Sequence, residues 1–249
     1  MANAAPVLKV QQLDVVFPDN NGGLRALDRV SFEICPREFV CVLGASGSGK
    51  TTLLRTLAGL LQPTAGSVSF SGGRTPRIGM VFQQSNLMPW RTVMGNIALP
   101  LELSGLDVEN SRLRAQEMVE LVGLRGFEES LPRDLSGGMA QRVAIARAFV
   151  HDPDLLLLDE PFGSLDALTR ERMGAELSRI WQKRRKTVVM VTHSITESLY
   201  LADRVLVLTP RPGTIKLDLK VDLPRPRTDE VKFTAHFGRL ARKLKQALE

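Results

Sequence analysis

The sequence predicts an α/β fold, and three observations predict it. Continuous apolar runs occur at 39–44 (FVCVLG), 155–159 (LLLLD), 187–193 (TVVMVTH) and 204–208 (RVLVL). They have the length and composition of central parallel strands buried on both faces, and each of the first three is followed by a helix-like segment, as in βαβ units. Shorter, partly alternating segments at 8–17, 30–34 and 66–71 suggest a separate antiparallel region. Between Gln83 and His151 the strand signals stop, so 84–152 reads as a helical insert in the α/β core.

The run 39–44 leads directly into GASGSGKT at 44–51, which matches G-x-x-x-x-G-K-[ST] and opens the apolar helix TTLLRTLAGLL. Gly44, Gly47 and Gly49 let the backbone curl so that successive N–H groups converge on phosphate oxygens. The helix adds its positive N-terminal end. Ala45, Ser46, Ser48 and Thr52 complete the candidate nucleotide-binding segment. Lys50 is placed to reach the β- and γ-phosphates, and Thr51 to ligate Mg²⁺.

Within the insert, 108–122 carries Leu113, Met118, Leu121 and Val122 close to helical spacing. A second helix spans 136–150, with Ser136 as its N-cap and Pro153 beyond its end. The run 155–159 then sets Asp159 at the carboxyl end of a buried strand, where it can hold Mg²⁺ directly or through water. Glu160 follows and points elsewhere, because side chains alternate along a strand, so it can polarise an attacking water. His193 ends the next apolar run and is a candidate for contacting the γ-phosphate. Ser194 and Glu197 have capping-box spacing for the following helix.

After about residue 223 the character changes. The PRPR element breaks the fold, and Phe233, Phe237, Leu240, Leu244 and Leu248 then recur on one face of an amphipathic helix whose other face is basic. Such a helix packs on its own domain or on a neighbour, and membrane-surface and calmodulin-type roles are the alternatives.

The bulk properties bound the answer. With 249 residues the chain suits one large domain with an insert, and 43% hydrophobic and 24% charged residues are ordinary for a globular protein. One Tyr and two Trp suggest no base-stacking surface or aromatic belt. The net charge of +6 is compatible with nucleic acid, an anionic membrane or simply a basic soluble protein. The basic run 183–186 falls at a helix C-terminus, where cations favour the dipole. Cys35 and Cys41 read as two free, half-buried thiols of a reducing compartment. The N-terminus MANAAPVLKV has no apolar signal core, and no apolar run approaches the roughly 18 residues needed to span a bilayer.

Read alone, LSGG at 135–138 is a good helix start. At this offset between GASGSGKT and LLLLDE it resembles the signature of the ABC ATPase superfamily, and residues 1–223 resemble the ATPase subunit of ABC transporters. The resemblance implies a P-loop NTPase (RecA-like) core with an antiparallel β subdomain and an inserted α-helical subdomain at about 84–152, followed by a tail at 224–249. It implies ATP and Mg²⁺ as ligands and a homodimer that closes around ATP. Leu135, Ser136, Gly137, Gly138 and Gln141 of one copy would face the ATP held by Lys50 of the other. Gln83 resembles the Q-loop glutamine that senses Mg²⁺ and the attacking water, with Gln84 as the alternative. Ser164, Leu165 and Asp166 resemble the D-loop, and His193 the switch histidine. Phe17 resembles the aromatic that stacks on adenine; a strand Phe is otherwise core.

Arg37 stands where the family often has glycine, and Ser194 replaces the common Asp after the switch histidine. The resemblance further implies separate membrane permease subunits docking at Gln84–Ile97, where Leu87, Met88, Pro89 and Trp90 look exposed. It also implies a substrate-binding protein, and a peripheral position on the cytoplasmic face of the cell membrane. The segments VFQQSNLMPWRTVMGNI and DEPFGSLDALTRERM, with the RPG and LPRPR elements, resemble the importer branch for nitrate, aliphatic sulfonates and taurine. Related members move hydroxymethylpyrimidine, riboflavin-like or bicarbonate substrates. A soluble ABC ATPase acting on nucleic acid would need a second nucleotide domain or a long coiled-coil insert, so no nucleic acid is expected. A P-loop kinase or GTPase would lack LSGG.

Overall fold

The computed structural model describes residues 5–18, 23–73 and 76–249. Residues 1–4 of the N-terminal stretch discussed above lie outside them. In chain order the strands and helices are β1 (Leu8–Phe17), β2 (Leu24–Ile34), β3 (Phe39–Leu43), α1 (Lys50–Leu57), β4 (Ala65–Phe70) and β5 (Ile78–Val81). There follow α2 (Val93–Leu103), α3 (Val108–Leu121), α4 (Gly137–Phe149), β6 (Leu155–Asp159) and α5 (Ala167–Arg184). The last are β7 (Thr187–Thr192), α6 (Ile195–Leu201), β8 (Arg204–Leu208), β9 (Ile215–Lys220) and α7 (Ala235–Leu248). The chain divides into two compact units, Met1–Pro76 with Thr187–Glu249, and Arg77–Lys186.

In the first unit the partly alternating segments form an antiparallel sheet in the order β2-β1-β4. The apolar runs form a parallel set with β3 between β7 and β8. Every residue of β3 and β7 is buried, which is why these runs are apolar throughout rather than alternating. Strand β9 closes the edge antiparallel to β8. Its sequence alternates Ile215, Leu217 and Leu219, half-buried, with exposed Lys216, Asp218 and Lys220. That alternation is the signal by which the strand is legible, although the sequence expectation has none there.

Helix α7 packs on α6 and β8 through buried Phe237, Leu240 and Leu244. Phe233 does not belong to this face. It ends a short 3-10 turn at Asp229–Phe233 and is 88% exposed, because the helix begins only after Thr234, whose hydroxyl caps it. Arg227 anchors the segment before it. Its buried guanidinium donates to the carbonyls of Leu199, Tyr200 and Ala202 at 2.8, 3.2 and 2.6 Å, satisfying groups that the end of α6 leaves unpaired. Burial pushes its pKa down to about 10. The two cysteines are free, but not alike: Cys35 is exposed, and Cys41 is fully buried, which pushes its thiol pKa up.

In the second unit β5 runs parallel to β6, a pairing the sequence expectation does not include because β5 is only four residues long. Helices α2, α3 and α4 pack on one another, and α5 packs on α4. The buried side of α3 is Ser111, Ala115, Met118 and Val119, continued by Val122. Leu113, although close to helical spacing with Met118 and Val122, lies off that stripe and is 60% exposed. Of the basic run 183–186, Lys186 pairs with Asp152 at 2.7 Å and Arg185 stacks over Trp181 at 5.1 Å, beyond the C-terminus of α5. Among the described residues no helix is long and apolar enough to cross a membrane.

Candidate functional site

In the first unit the parallel register sets the site. Leu43 pairs with Thr192 and with Val207, so the ends of β7 and β8 flank the end of β3. The glycine-rich loop therefore emerges at the centre of the parallel set, with His193 following the strand on one side. His193 is exposed. Ser194 caps α6 by accepting from the Glu197 amide at 3.3 Å. The Glu197 carboxylate accepts instead from the Thr192 hydroxyl at 2.6 Å, so the expected capping box forms in one direction.

The loop itself is a tight curl. Gly47 and Gly49 have φ of +78° and +92°, a region that side chains disfavour. A Cβ on Gly49 would lie 2.8 Å from the Ala26 carbonyl oxygen. Ala45, Ser46 and Gly47 are exposed, and Ser48 and Lys50 are buried. The Lys50 ammonium donates to the carbonyls of Gly44 and Ala45, both at 3.0 Å. The Ser48 hydroxyl is buried without a hydrogen-bond partner. A buried cation and an orphaned hydroxyl at a helix N-terminus fit an anionic ligand. Thr51 and Thr52 open α1 and are half-buried. Phe17, the last residue of β1, is 37% exposed and lies outside the core.

In the second unit the carboxyl ends of β5 and β6 lie side by side, with Val81 paired to Leu158. Asp159 ends β6 and is buried. Glu160 follows with φ of +42°. Glu160 thus lies beyond the end of β6 in left-handed backbone, and simple strand alternation does not extend to it. A non-glycine residue held there marks local strain of the kind that gathers at functional sites. Gly163 donates to the Glu160 carbonyl at 2.9 Å, and a Cβ on Gly163 would meet Gln83 Nε2 at 3.2 Å. Gln83, Glu160 and the turn after β6 are thus brought together.

Ser136 caps α4 by accepting from the Met139 amide at 3.3 Å, and Ser136 and Gly137 are exposed. Leu135 is half-buried. A Cβ on Gly138 would lie 2.9 Å from Thr169 Cγ2, so the signature turn is packed against the start of α5. Asp166 caps that helix by accepting from Thr169 at 3.0 Å, a bond that holds its carboxyl below the usual range. Ser164 is exposed and Leu165 buried. Gln141 is 2% exposed on the core side of α4, apart from the exposed signature residues.

Two further residues shape this unit that motif reading does not single out. Buried Asn96 of α2 accepts from the Met88 amide at 2.8 Å and donates to the carbonyls of Met88, Arg91 and Thr92 at 3.2, 2.9 and 3.0 Å. It fixes the turn that presents Trp90, which is 74% exposed; Pro89 is exposed, and Leu87 and Met88 are half-buried. Arg147 of α4 donates to the carbonyls of Ser85 and Asn86 at 2.8 and 2.9 Å, tying the segment after Gln83 to the signature helix. An Asn inside an apolar helix is the sequence signal for the first. The second has none, because its partners are backbone atoms.

A glycine-rich phosphate loop after a central parallel strand, with an acidic pair ending another, defines a P-loop nucleotide-binding protein. The comparisons narrow the class. The ABC transporter family model matches residues 27–163, and the chain belongs to that family. It is 52% identical over 225 residues to an uncharacterised ABC transporter ATP-binding protein, MJ0412, of Methanocaldococcus jannaschii, covering 88% of this chain and 84% of that one. It is 46% identical to the nitrate import ATP-binding protein NrtD of a Synechocystis species, covering 87% and 83%. It is 39% identical to the aliphatic sulfonates import ATP-binding protein SsuB of Bacillus cereus, covering 97% and 96%. The fold matches the ATP-binding cassette MJ0796, solved as a dimer in a post-hydrolysis state with ADP and Pi, with a TM-score of 0.75 at 32% identity, covering 87% of this chain and 100% of that one. The chain is an ABC ATPase cassette homologous to importer ATPases.

Proposed function

We propose that two copies of this chain close around ATP and drive a separate membrane permease that imports a small oxyanion or sulfonate. The observation that carries the reading is the signature turn: Ser136 and Gly137 stand exposed at the N-terminus of a long helix, an anion-binding end with no nucleotide motif of its own. Ser136 and the amides of Gly137 and Gly138 of one copy bind the γ-phosphate, while Lys50 and the amides of Gly44–Thr52 of the other bind the phosphate chain. Buried Gln141 supports α4 from within. Phe17 stacks on the adenine.

Glu160 orients and polarises the attacking water, and His193 and Gln83 position the γ-phosphate and that water. The hydroxyl of Thr51, the carboxylate of Asp159 and the amide oxygen of Gln83 are hard oxygen donors suited to Mg²⁺, which neutralises charge on the phosphate oxygens when bound. Ser164, Leu165 and Asp166 cross to the partner copy. Because the stabilising groups are split between copies, ATP favours the closed dimer and hydrolysis releases it.

The permease docks at Gln84–Ile97, around exposed Trp90. The chain then lies on the cytoplasmic face of the membrane, and a substrate-binding protein delivers cargo. Nitrate and aliphatic sulfonates, named for two relatives, are the proposed cargo class.

Glu160→Gln keeps the shape of the side chain and removes the base. Turnover should fall to background while ATP traps a dimer, read by light scattering on a size-exclusion column. A variant that stays monomeric with ATP would refute the two-copy site.

A further inference from the structure

Strand β8 ends beside the phosphate loop, since Val207 pairs with Leu43. The turn that follows, 209–214, is a built element. The Thr209 hydroxyl accepts from the Thr214 amide at 2.9 Å and donates to the Pro212 carbonyl at 3.0 Å. Gly213 donates to the Ala26 carbonyl at 2.9 Å, and its own carbonyl accepts from the Asp28 amide at 3.0 Å, which ties the turn to β2. A Cβ on Gly213 would lie 2.3 Å from the Ser48 carbonyl oxygen, so the backbones of turn and phosphate loop touch.

At the tip of the same loop, Arg211 Nε donates to the Gly47 carbonyl at 3.3 Å. The peptide between Gly47 and Ser48 is planar and rigid, so its carbonyl and its N–H point opposite ways. With the carbonyl held outward by Arg211, the Ser48 N–H points into the loop, where it donates to the Ala45 carbonyl at 3.3 Å. The guanidinium also sets a permanent cation against the outer side of a loop whose inner side takes an anion.

We propose that the 209–214 turn is the backing of the phosphate loop, with Gly213 as its close-packed floor and Arg211 as a positioning residue that presets the Gly47–Ser48 peptide for the triphosphate. This rests on the assignment of ATP to Gly44–Thr52. It adds to that loop a segment about 160 residues distant in sequence, consistent with the separation of the Arg211–Gly47 contact.

The test is titration of the full chain with fluorescent N-methylanthraniloyl-ATP, beside steady-state ATPase kinetics and the melting temperature without nucleotide. Arg211→Ala should raise the nucleotide Kd about three- to tenfold, the worth of one ordinary hydrogen bond, since this one is long and solvent-exposed, with kcat within about twofold and an unchanged melting temperature. Arg211→Lys keeps the charge but loses the planar Nε donor, and should fall between alanine and wild type. Gly213→Ala should weaken binding further, and if it does not fold, the two arginine variants still decide the question. A wild-type Kd in Arg211→Ala overturns the proposal, as does a lowered melting temperature with no change in Kd. A wild-type Kd in Arg211→Lys overturns the peptide-positioning role. Lys50→Ala is the control. If it binds as wild type does, the phosphate-loop assignment itself fails; if it loses binding while Arg211→Ala does not, only the role of the turn fails.

Discussion

Replacing Gly49 with alanine asks how tightly the phosphate loop is built. The residue has φ of +92°, which costs an L side chain about 1–2 kcal/mol. The new Cβ would also lie 2.8 Å from the Ala26 carbonyl oxygen and 2.8 Å from Leu27 Cδ2. The first is backbone and cannot swing away, so the overpacking adds roughly 1–3 kcal/mol. Reduced freedom of the unfolded chain returns about 0.4–1 kcal/mol. The net loss is about 1–4.6 kcal/mol, equivalent to roughly 2–18 °C in melting temperature for a chain of this size.

Gly59 supplies the control. Its φ is +73° and nothing lies within 4 Å of an added Cβ, so Gly59→Ala carries the backbone strain alone, about 0–1.6 kcal/mol net. Differential scanning calorimetry of both variants isolates the contact, and nucleotide titration should show binding lost in Gly49→Ala and kept in Gly59→Ala. Equal melting temperatures for the two variants, or normal nucleotide affinity in Gly49→Ala, would refute the close packing of the loop on Ala26 and Leu27.

Three further perturbations have signed outcomes. Arg37 has φ of +63° and an exposed side chain, and its amide donates to the Thr187 hydroxyl at 3.0 Å, a bond that glycine keeps; Arg37→Gly should therefore raise the melting temperature by roughly 1–4 °C, and a decrease would contradict the strain assigned there. Arg227→Met leaves the carbonyls of Leu199, Tyr200 and Ala202 without their buried donor, and should cost about 3 kcal/mol or more in urea unfolding; a loss below about 1 kcal/mol would show that water replaces the guanidinium. Burial lowers the pKa of His151, whose Nδ1 is buried without a partner, so the unfolded chain binds this proton more readily. That contribution to stability is complete above the unfolded value near pH 6.5 and is lost as the pH falls from there toward the folded value; His151→Gln should flatten this part of the stability–pH curve, and an unchanged slope would refute it.

Short-range chemistry was legible in the sequence wherever the fold does little more than extend it. The apolar runs of β3, β6, β7 and β8 announce buried strands, because a strand covered on both faces needs no polar side. The Ser136 and Ser194 caps are legible too, since capping is a contact over three residues. What escaped the reading are contacts whose partners are distant or are backbone. Leu113 and Phe233 have helical spacing, yet which stripe is buried depends on what packs against it. Asn96, Arg147 and Arg227 act on carbonyls that carry no sequence signal.

The sequence by itself determined the family, the phosphate loop, the acidic pair and the signature, because each is a local arrangement of residue types demanded by phosphate chemistry. Only the tertiary structure decided that Glu160 sits in a left-handed backbone, that Gln141 is buried, and that the turn at 209–214 lies against the loop at 44–51. The last of these follows from the parallel register of β3 and β8 and from the close approach of backbones. Neither leaves a mark on residue type except, at Gly49 and Gly213, the requirement for no side chain at all.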